Sequence, residues 1–309
     1  MIDPRYWLVP VLALMVGCAG AQPVCDTRDG VTLQVLGSGG PITDDDRAGT
    51  SYLVWVDGES RFLIDLGGGS SVRFAAAGAS FNDLDFVALS HLHTDHSSDL
   101  PALLKSGNFA GRKRPLGISG PSGSGPFPAF EPFLQALIGS NGAYAYLSGY
   151  LDGSGNLPLL AAQTVDVTAN AATRVYTDKA RRITIDALGV PHGIVPALAY
   201  RLNIGEMDLV FASDQNGNDE RFVDFARNAD ILVMHMVVPE DIQGVGRKLH
   251  APPSRIGEIA SAANADTLVL SHFMARSLRD IETNVALVDA RFDGTVVTAN
   301  DLTCVAALR

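Results

Sequence analysis

The stretch VALSHLHTDHSSDLPALL, residues 87–104, places three histidines and an aspartate within six positions, directly after an apolar run. The whole chain has only seven histidines, so three of them here call for a chemical reason. In a locally extended segment His91 and His93 project to one side. Asp95 and His96 come as the chain turns toward a helix expected from Leu100, so they point at a second position. Neutral imidazoles and a carboxylate are the donors that zinc prefers. One ion cannot take all four and keep an open coordination position, so the spacing predicts two adjacent metals. The bland alternative is a histidine-rich surface loop with no fixed metal; the preceding apolar strand, which would hold the segment rigid, weighs against it.

Composition bounds the rest. With 309 residues, 47% hydrophobic and 18% charged, the chain is globular rather than disordered. The net charge of −11, from 23 basic and 34 acidic residues, weighs against nucleic acid as a partner. The one compact basic cluster, Arg112-Lys113-Arg114, reads as a solvated loop. At the N-terminus, MIDPRYWLVPVLALMVGCAGAQ carries one basic residue, Arg5, and an apolar stretch from Tyr6 to Val16. That stretch is shorter than the roughly 20 residues a membrane span needs, and it fits a secretory leader over residues 1–21. Ala19-Gly20-Ala21 matches a cleavage site, while Val16-Gly17-Cys18 resembles a lipoprotein box with Met15 at the usual leucine, which would make Cys18 a lipid anchor. On either route the mature domain, residues 22–309, is exported to the periplasm or envelope of a bacterium. Cys25 and Cys304 then remain as a pair, expected to join in a disulfide in an oxidising compartment, with two buried thiols as the alternative.

Along the chain, short apolar runs alternate with helical ones and no sequence repeat is present. Strands are expected at Val31–Leu36, Ser51–Val56, Phe62–Leu66, Phe86–Leu89, Leu116–Ser119, Ile183–Val190, Leu198–Asn203, Leu209–Ala212, Ile231–Met234 and Thr267–Leu270. Helices are expected at Leu100–Ser106, Phe130–Ile138, Asp219–Ala226, Arg255–Ala263 and Ile281–Val288, with Ser254 capping the fourth behind Pro252 and Pro253. The segments SGPSGSGPFP (119–128) and LDGSGNLP (151–158) read as turns or surface loops. The aromatic-rich residues 126–155 are open between core packing, a lid and a homodimer contact. Alternating strands and helices imply helices on both sides of sheet.

His-x-His-x-Asp-His after a strand resembles the signature of the metallo-β-lactamase superfamily, and other segments resemble its ribonuclease Z branch in order. VLGSGGP (35–41) and RAGTSYLV (47–54) are similar to that branch's opening strands, FLIDLGGGS (62–70) to its Asp-Cys-Gly strand end, and LGISGPSG (116–123) to its Gly-Pro-x-Gly turn. The resemblance runs from about Val31 to Ser277. It implies a single-domain α/β fold, the four-layer αββα sandwich, and two Zn2+ ions, with manganese or iron as substitutes. His192 in GVPHGIVPALAYRL would join His91 and His93 on the first metal. His272 in LVLSHFMARS would join Asp95 and His96 on the second, and Asp214 in VFASDQNG would bridge the two. His250 in KLHAPPSRIGEIA matches a histidine that protonates the leaving group, although Ala251 and Pro252 replace the small hydroxylated residues expected after it. Asp95, Asp214 and His250 are thus the candidate catalytic residues. His235 in ILVMHMVVP stands at the branch's His-Glu strand end, with Met236 replacing the glutamate, and is expected to support the site rather than bind metal. Asp65 is a candidate for orienting a ligand histidine, against a plain turn aspartate.

The resemblance implies a metal-dependent hydrolase. Members that process tRNA carry a long projecting arm between the third histidine and the bridging aspartate; here His192 and Asp214 are 22 positions apart, room for two strands. An exported acidic protein without the arm is expected to resemble the zinc arylsulfatases and cyclic-nucleotide phosphodiesterases, and to cleave a small phosphodiester or aryl sulfate ester rather than tRNA. A lactonase or β-lactamase-type hydrolase, and a zinc-binding envelope protein without turnover, are the alternatives.

Overall fold

A computed structural model describes Cys25 and residues 28–307. The expected leader and the candidate lipid anchor Cys18 lie outside the described residues.

Two seven-stranded sheets stack face to face. The first contains β1 (Val31–Gly37), β2 (Ser51–Val56), β3 (Glu59–Ile64), β4 (Phe86–Ala88), β5 (Leu116–Pro121), β6 (Leu160–Val165) and, at its other edge, β14 (Cys304–Ala306). The second contains β7 (Thr173–Asp178), β8 (Ile183–His192), β9 (Val195–Ile204), β10 (Met207–Phe211), β11 (Ile231–His235), β12 (Thr267–Ser271) and β13 (Thr295–Thr298). In the first sheet β1–β2–β3 pair antiparallel and β3–β4–β5–β6 parallel. The second repeats this with β8–β9–β10 antiparallel and β10–β11–β12–β13 parallel. The two halves therefore share one topology although their sequences share no repeat.

Strand alternation explains the layers, because successive side chains leave opposite faces of a sheet. On β2, Tyr52 and Val54 enter the core between the sheets, while Leu53 and Trp55 face outward to helices. On β11, Ile231 and Val233 face the other sheet, while Leu232 and Met234 meet the opposite helical layer. Helices Leu100–Gly107 and Phe130–Ile138 cover the first sheet, and Pro253–Ala262 and Ile281–Asp289 help cover the second. The result is the expected four-layer αββα sandwich in a single domain.

Several expectations need correction. Strands β6, β7, β13 and β14 were not anticipated: β6 and β7 are mostly half-buried, β13 is half exposed, and β14 has three residues, so none carries a clear apolar run. Strand β5 continues through Gly120 and Pro121, which the sequence reads as turn. Strand β3 begins at Glu59, because Asp57 and Gly58, both at positive φ, form a tight hairpin with β2. Pro253 is the first residue of its helix, where its missing N–H costs nothing, and Ser254 instead bonds Glu240. Arg112 is buried rather than solvated, its guanidinium donating to the carbonyls of Phe81, Asn82, Leu84, Arg114 and Pro115. In residues 126–155, Phe130, Leu134, Ile138, Leu147 and Tyr150 are core, while Tyr144 and Tyr146 stay exposed. Cys25 and Cys304 are disulfide-bonded, which ties the start of the described chain to β14. Among the described residues, no helix is long and apolar enough to cross a membrane.

Candidate metal centre

In open α/β sheets functional groups gather beyond the carboxyl ends of parallel strands, and here both sheets contribute such ends to one edge. Asp65 follows β3, His91 to His96 follow β4, Asp214 follows β10, His235 ends β11, and His272 follows β12. His192 comes from the end of β8, at its tight turn into β9. Asp65, Ser213 and His272 each sit at positive φ (60°, 59° and 58°) immediately beyond their strands or, for Ser213, beside Asp214. A non-glycine residue in this conformation costs roughly 1 kcal/mol or more. Here it turns the chain sharply enough to aim side chains into the edge.

All seven histidines of the chain meet there, although they are spread from position 91 to position 272. His91, His93 and His192 form one donor group, with Nε2 of His91 only 3.0 Å from Nδ1 of His93. His96, His272 and Asp95 form a second: the two Nε2 atoms are 3.0 Å apart, and Asp95 Oδ2 lies 3.4 and 3.2 Å from them. Asp214 stands between, its Oδ2 being 3.5 Å from His192 Nε2, 3.9 Å from His96 Nε2 and 4.0 Å from His91 Nε2. Its Oδ1 is 3.3 Å from His272 Nε2. His250, after the helix Val245–Leu249, brings Nδ1 to 3.9 Å from Asp214 Oδ2 and closes the rim beside His192.

The surroundings spend the far side of several rings on hydrogen bonds, which fixes the tautomer and aims the other nitrogen inward. Nδ1 of His96 contacts Asp65 Oδ2 at 2.8 Å, and the same carboxylate accepts from the Ser90 hydroxyl and backbone N–H. Since that hydroxyl donates to Asp65, its oxygen accepts from Nδ1 of His91 at 3.1 Å. Nδ1 of His192 donates to the Leu249 carbonyl at 3.1 Å. Asp65 therefore supports both donor groups, as an orienting residue rather than a turn aspartate. His235 uses both nitrogens as well, Nδ1 on Asp214 Oδ1 at 2.6 Å and Nε2 on the Tyr52 hydroxyl at 2.9 Å. Neither Tyr52 nor Ser90 was singled out from the sequence. Tyr52 reads there as an ordinary inward strand residue, and nothing local signals that it meets a side chain 183 positions away.

These donors fit cations. With Nδ1 of His91 and His96 already donating, their Nε2 atoms are lone-pair acceptors, and each faces another ring nitrogen at 3.0 Å, a separation that suits either a proton on the facing ring or a cation drawn between the two. His192 Nε2 and Asp95 Oδ1 are buried with no hydrogen-bond partner. Burial is the largest influence on His91, His93, His96, His235, His250 and His272. It lowers His91 and His93, and it brings His235 and His250 down to about 4 against the opposing pull of Asp214. For His96 burial acts the same way, but Asp95 and Asp65 outweigh it and raise the ring well above the usual imidazole range. His272 is raised likewise, against its burial, chiefly by Asp214 and a bond to Asp95. Burial works against ionised Asp214 and Asp95, yet the surrounding histidines hold both below the usual carboxylate range. Positive charge is thus most favoured between His96 and His272, where the second donor group meets.

The chain covers 94% to 97% of the length of the Ribonuclease Z relatives it matches. Residues 44–158 match the family described as the metallo-beta-lactamase superfamily. The chain is 30% identical over 289 residues to Ribonuclease Z of Mycobacterium bovis, covering 87% of this chain and 96% of that one. Among solved structures, human tRNase Z, short form, superposes with a TM-score of 0.70 at 18% identity, covering 90% of this chain and 100% of that one. The metallo-beta-lactamase fold protein YhfI from Bacillus subtilis gives a TM-score of 0.66 at 22% identity, over 90% and 99% of the two chains. Given the fold, the clustered histidines and the full-length similarity, the chain belongs to the metallo-β-lactamase superfamily, in its ribonuclease Z-like branch.

Proposed function

We propose that the protein is an exported hydrolase with two divalent metals, Zn2+ first among them, that cleaves a small phosphodiester or aryl sulfate ester. The observation that carries this reading is the position of Asp214, one oxygen of which lies 3.5–4.0 Å from ring nitrogens of both donor groups. His91, His93 and His192 would hold one ion, Asp95, His96 and His272 the other, and Asp214 both. Bound there, two ions lower the pKa of water toward neutrality and offset negative charge on the substrate.

The chain's own residues supply the rest. Asp65, Ser90 and the Leu249 carbonyl keep the ligand rings in place, so that little reorganisation accompanies the reaction. Phe127 lies edge-on to His93, with ring centroids 5.8 Å apart, and offers an apolar contact at the rim. His250 is placed to meet the departing oxygen. Burial keeps it a neutral imidazole, and nearby cations push in the same direction, so it offers a hydrogen bond rather than a mobile proton. That favours leaving groups that are stable as anions, such as phenolates.

Two features support a small ester over tRNA, which the names of the relatives would suggest. The segment between His192 and Asp214 is filled by β9 and β10, which leaves no projecting arm, and the chain carries a charge of −11. The leader-like N-terminus and the Cys25–Cys304 disulfide support export to an oxidising compartment.

The test is turnover of bis-p-nitrophenyl phosphate, p-nitrophenyl sulfate and a lactone by metal-replete protein, with bound metal measured in parallel. Cleavage of either of the first two is expected, with Asp214→Ala lowering both metal content and rate, the rate by on the order of a hundredfold. If all three compounds stay intact, the catalytic reading fails. Two metals retained in Asp214→Ala would show that this residue does not bridge.

A further inference from the structure

We propose that Tyr52 and His235 act as a positioning pair that fixes the Asp214 carboxylate between the two donor groups, and through it decides whether the centre holds a second ion. This rests on the two-metal reading above.

The two residues come from opposite sheets, Tyr52 from β2 and His235 from the end of β11, and both are buried. Nδ1 of His235 lies 2.6 Å from Asp214 Oδ1, and Nε2 lies 2.9 Å from the Tyr52 hydroxyl. An ionised carboxylate can only accept, so the proton between His235 and Asp214 sits on Nδ1. Nε2 then carries a lone pair, and the Tyr52 O–H donates to it. The Tyr52 hydroxyl therefore selects the His235 tautomer that can hold Asp214. Because both ring nitrogens are engaged in this way, His235 has no lone pair left for a metal, even though it sits among His96, Asp214 and His272 at ligand distance.

The effect on Asp214 follows from geometry. With Oδ1 held at 2.6 Å by His235 and lying 3.3 Å from His272 Nε2, Oδ2 is turned toward His192, His96 and His91, so the carboxylate as a whole spans both donor groups. Two dications a few ångströms apart repel strongly in a buried site, and an anionic oxygen held between them is the group that offsets the repulsion. One ion needs no such oxygen, since either donor group has three ligands of its own. Loss of the pair should therefore spare binding of the first ion and weaken entry of the second, whichever group fills first.

The experiment titrates metal-free protein with Zn2+ against a chromophoric chelator, so that the two dissociation constants are read separately, and follows thermal unfolding of the metal-free form. Wild type should bind two equivalents. His235→Ala should raise the second constant by about a hundredfold and Tyr52→Phe by about tenfold, with the first changed by less than about threefold. His235→Asn, whose amide can still donate to Asp214, should recover most of the loss. Tyr52→Phe keeps the ring and its packing, so it decides the matter if His235→Ala does not fold. A second constant unchanged in Tyr52→Phe and His235→Ala, an equal loss of both ions, or no recovery in His235→Asn overturns the pair's role. A wild type that binds only one ion overturns the two-metal reading itself, and this inference with it.

Discussion

Asp65 and His96, 31 positions apart in the chain, meet through a 2.8 Å contact between Oδ2 and Nδ1 in the buried centre of the site. Because Ser90 relays the same carboxylate to His91, one side chain supports a ring in each donor group. Asp65→Ala should therefore lower affinity for both ions, by roughly 10- to 100-fold, where the Tyr52 and His235 variants affect only the second. Equilibrium dialysis with elemental analysis distinguishes the two patterns.

Gly40 reaches His272 from the loop after β1. A Cβ added there would stand 2.8 Å from Cε1 and 3.0 Å from Nδ1 of that ring, and His272 is fully buried with nowhere to retreat. The backbone of Gly40 has no positive φ, so the residue is required for space and not for conformation. Gly40→Ala should cost little in global stability but weaken metal binding by on the order of tenfold, comparable to losing an orienting contact. A metal affinity equal to wild type would show that the loop yields easily.

Arg112 satisfies five backbone carbonyls from inside the protein. Arg112→Leu leaves these acceptors without donors, and Arg112→Lys cannot reproduce the planar fork. Both should lower unfolding free energy by about 2–4 kcal/mol in urea titrations. At a temperature where the variants stay folded, hydrolysis should be unaffected, because the cluster lies away from the metal centre.

The Cys25–Cys304 bridge closes a loop of 279 positions. Reduction should lower stability by about 2–5 kcal/mol, and Cys304→Ser should show the lower melting temperature with or without reductant. A wild-type melt insensitive to reductant would mean that β14 is held by its pairing with β1 alone.

The leaving-group dependence of His250→Ala tells its two roles apart. If His250 supplies a hydrogen bond and no mobile proton, the variant should slow nitrophenyl esters and alkyl phosphodiesters alike, by about tenfold or less. A loss of about a hundredfold or more confined to the alkyl phosphodiesters would assign it full proton transfer.

Much of this protein was legible in its residues alone. The spacing of His91, His93, Asp95 and His96 after an apolar strand already implies a cluster of metal-type donors aimed in two directions, because the side-chain directions of an extended segment entering a helix depend only on local geometry. The buried strands β1, β2, β8 and β9 announce themselves by dense apolar runs, and the family resemblance supplied the order in which His192, Asp214 and His272 follow. Edge strands were missed because half-exposed strands need no such run, and Arg112 was misread because a buried cation has the same local sequence as a solvated one.

Which hydroxyl fixes which ring was decided only by the tertiary structure. Tyr52 reaches His235, Ser90 links His91 to Asp65, and Leu249 holds His192 because two sheets stack with particular strand ends opposed. Those contacts join positions up to 183 apart, and their directions depend on sheet register and on three residues forced into positive φ. Local sequence encodes the donors, since their chemistry is intrinsic. Their orientation is a property of the packed fold, since it is set by partners that no local pattern can name.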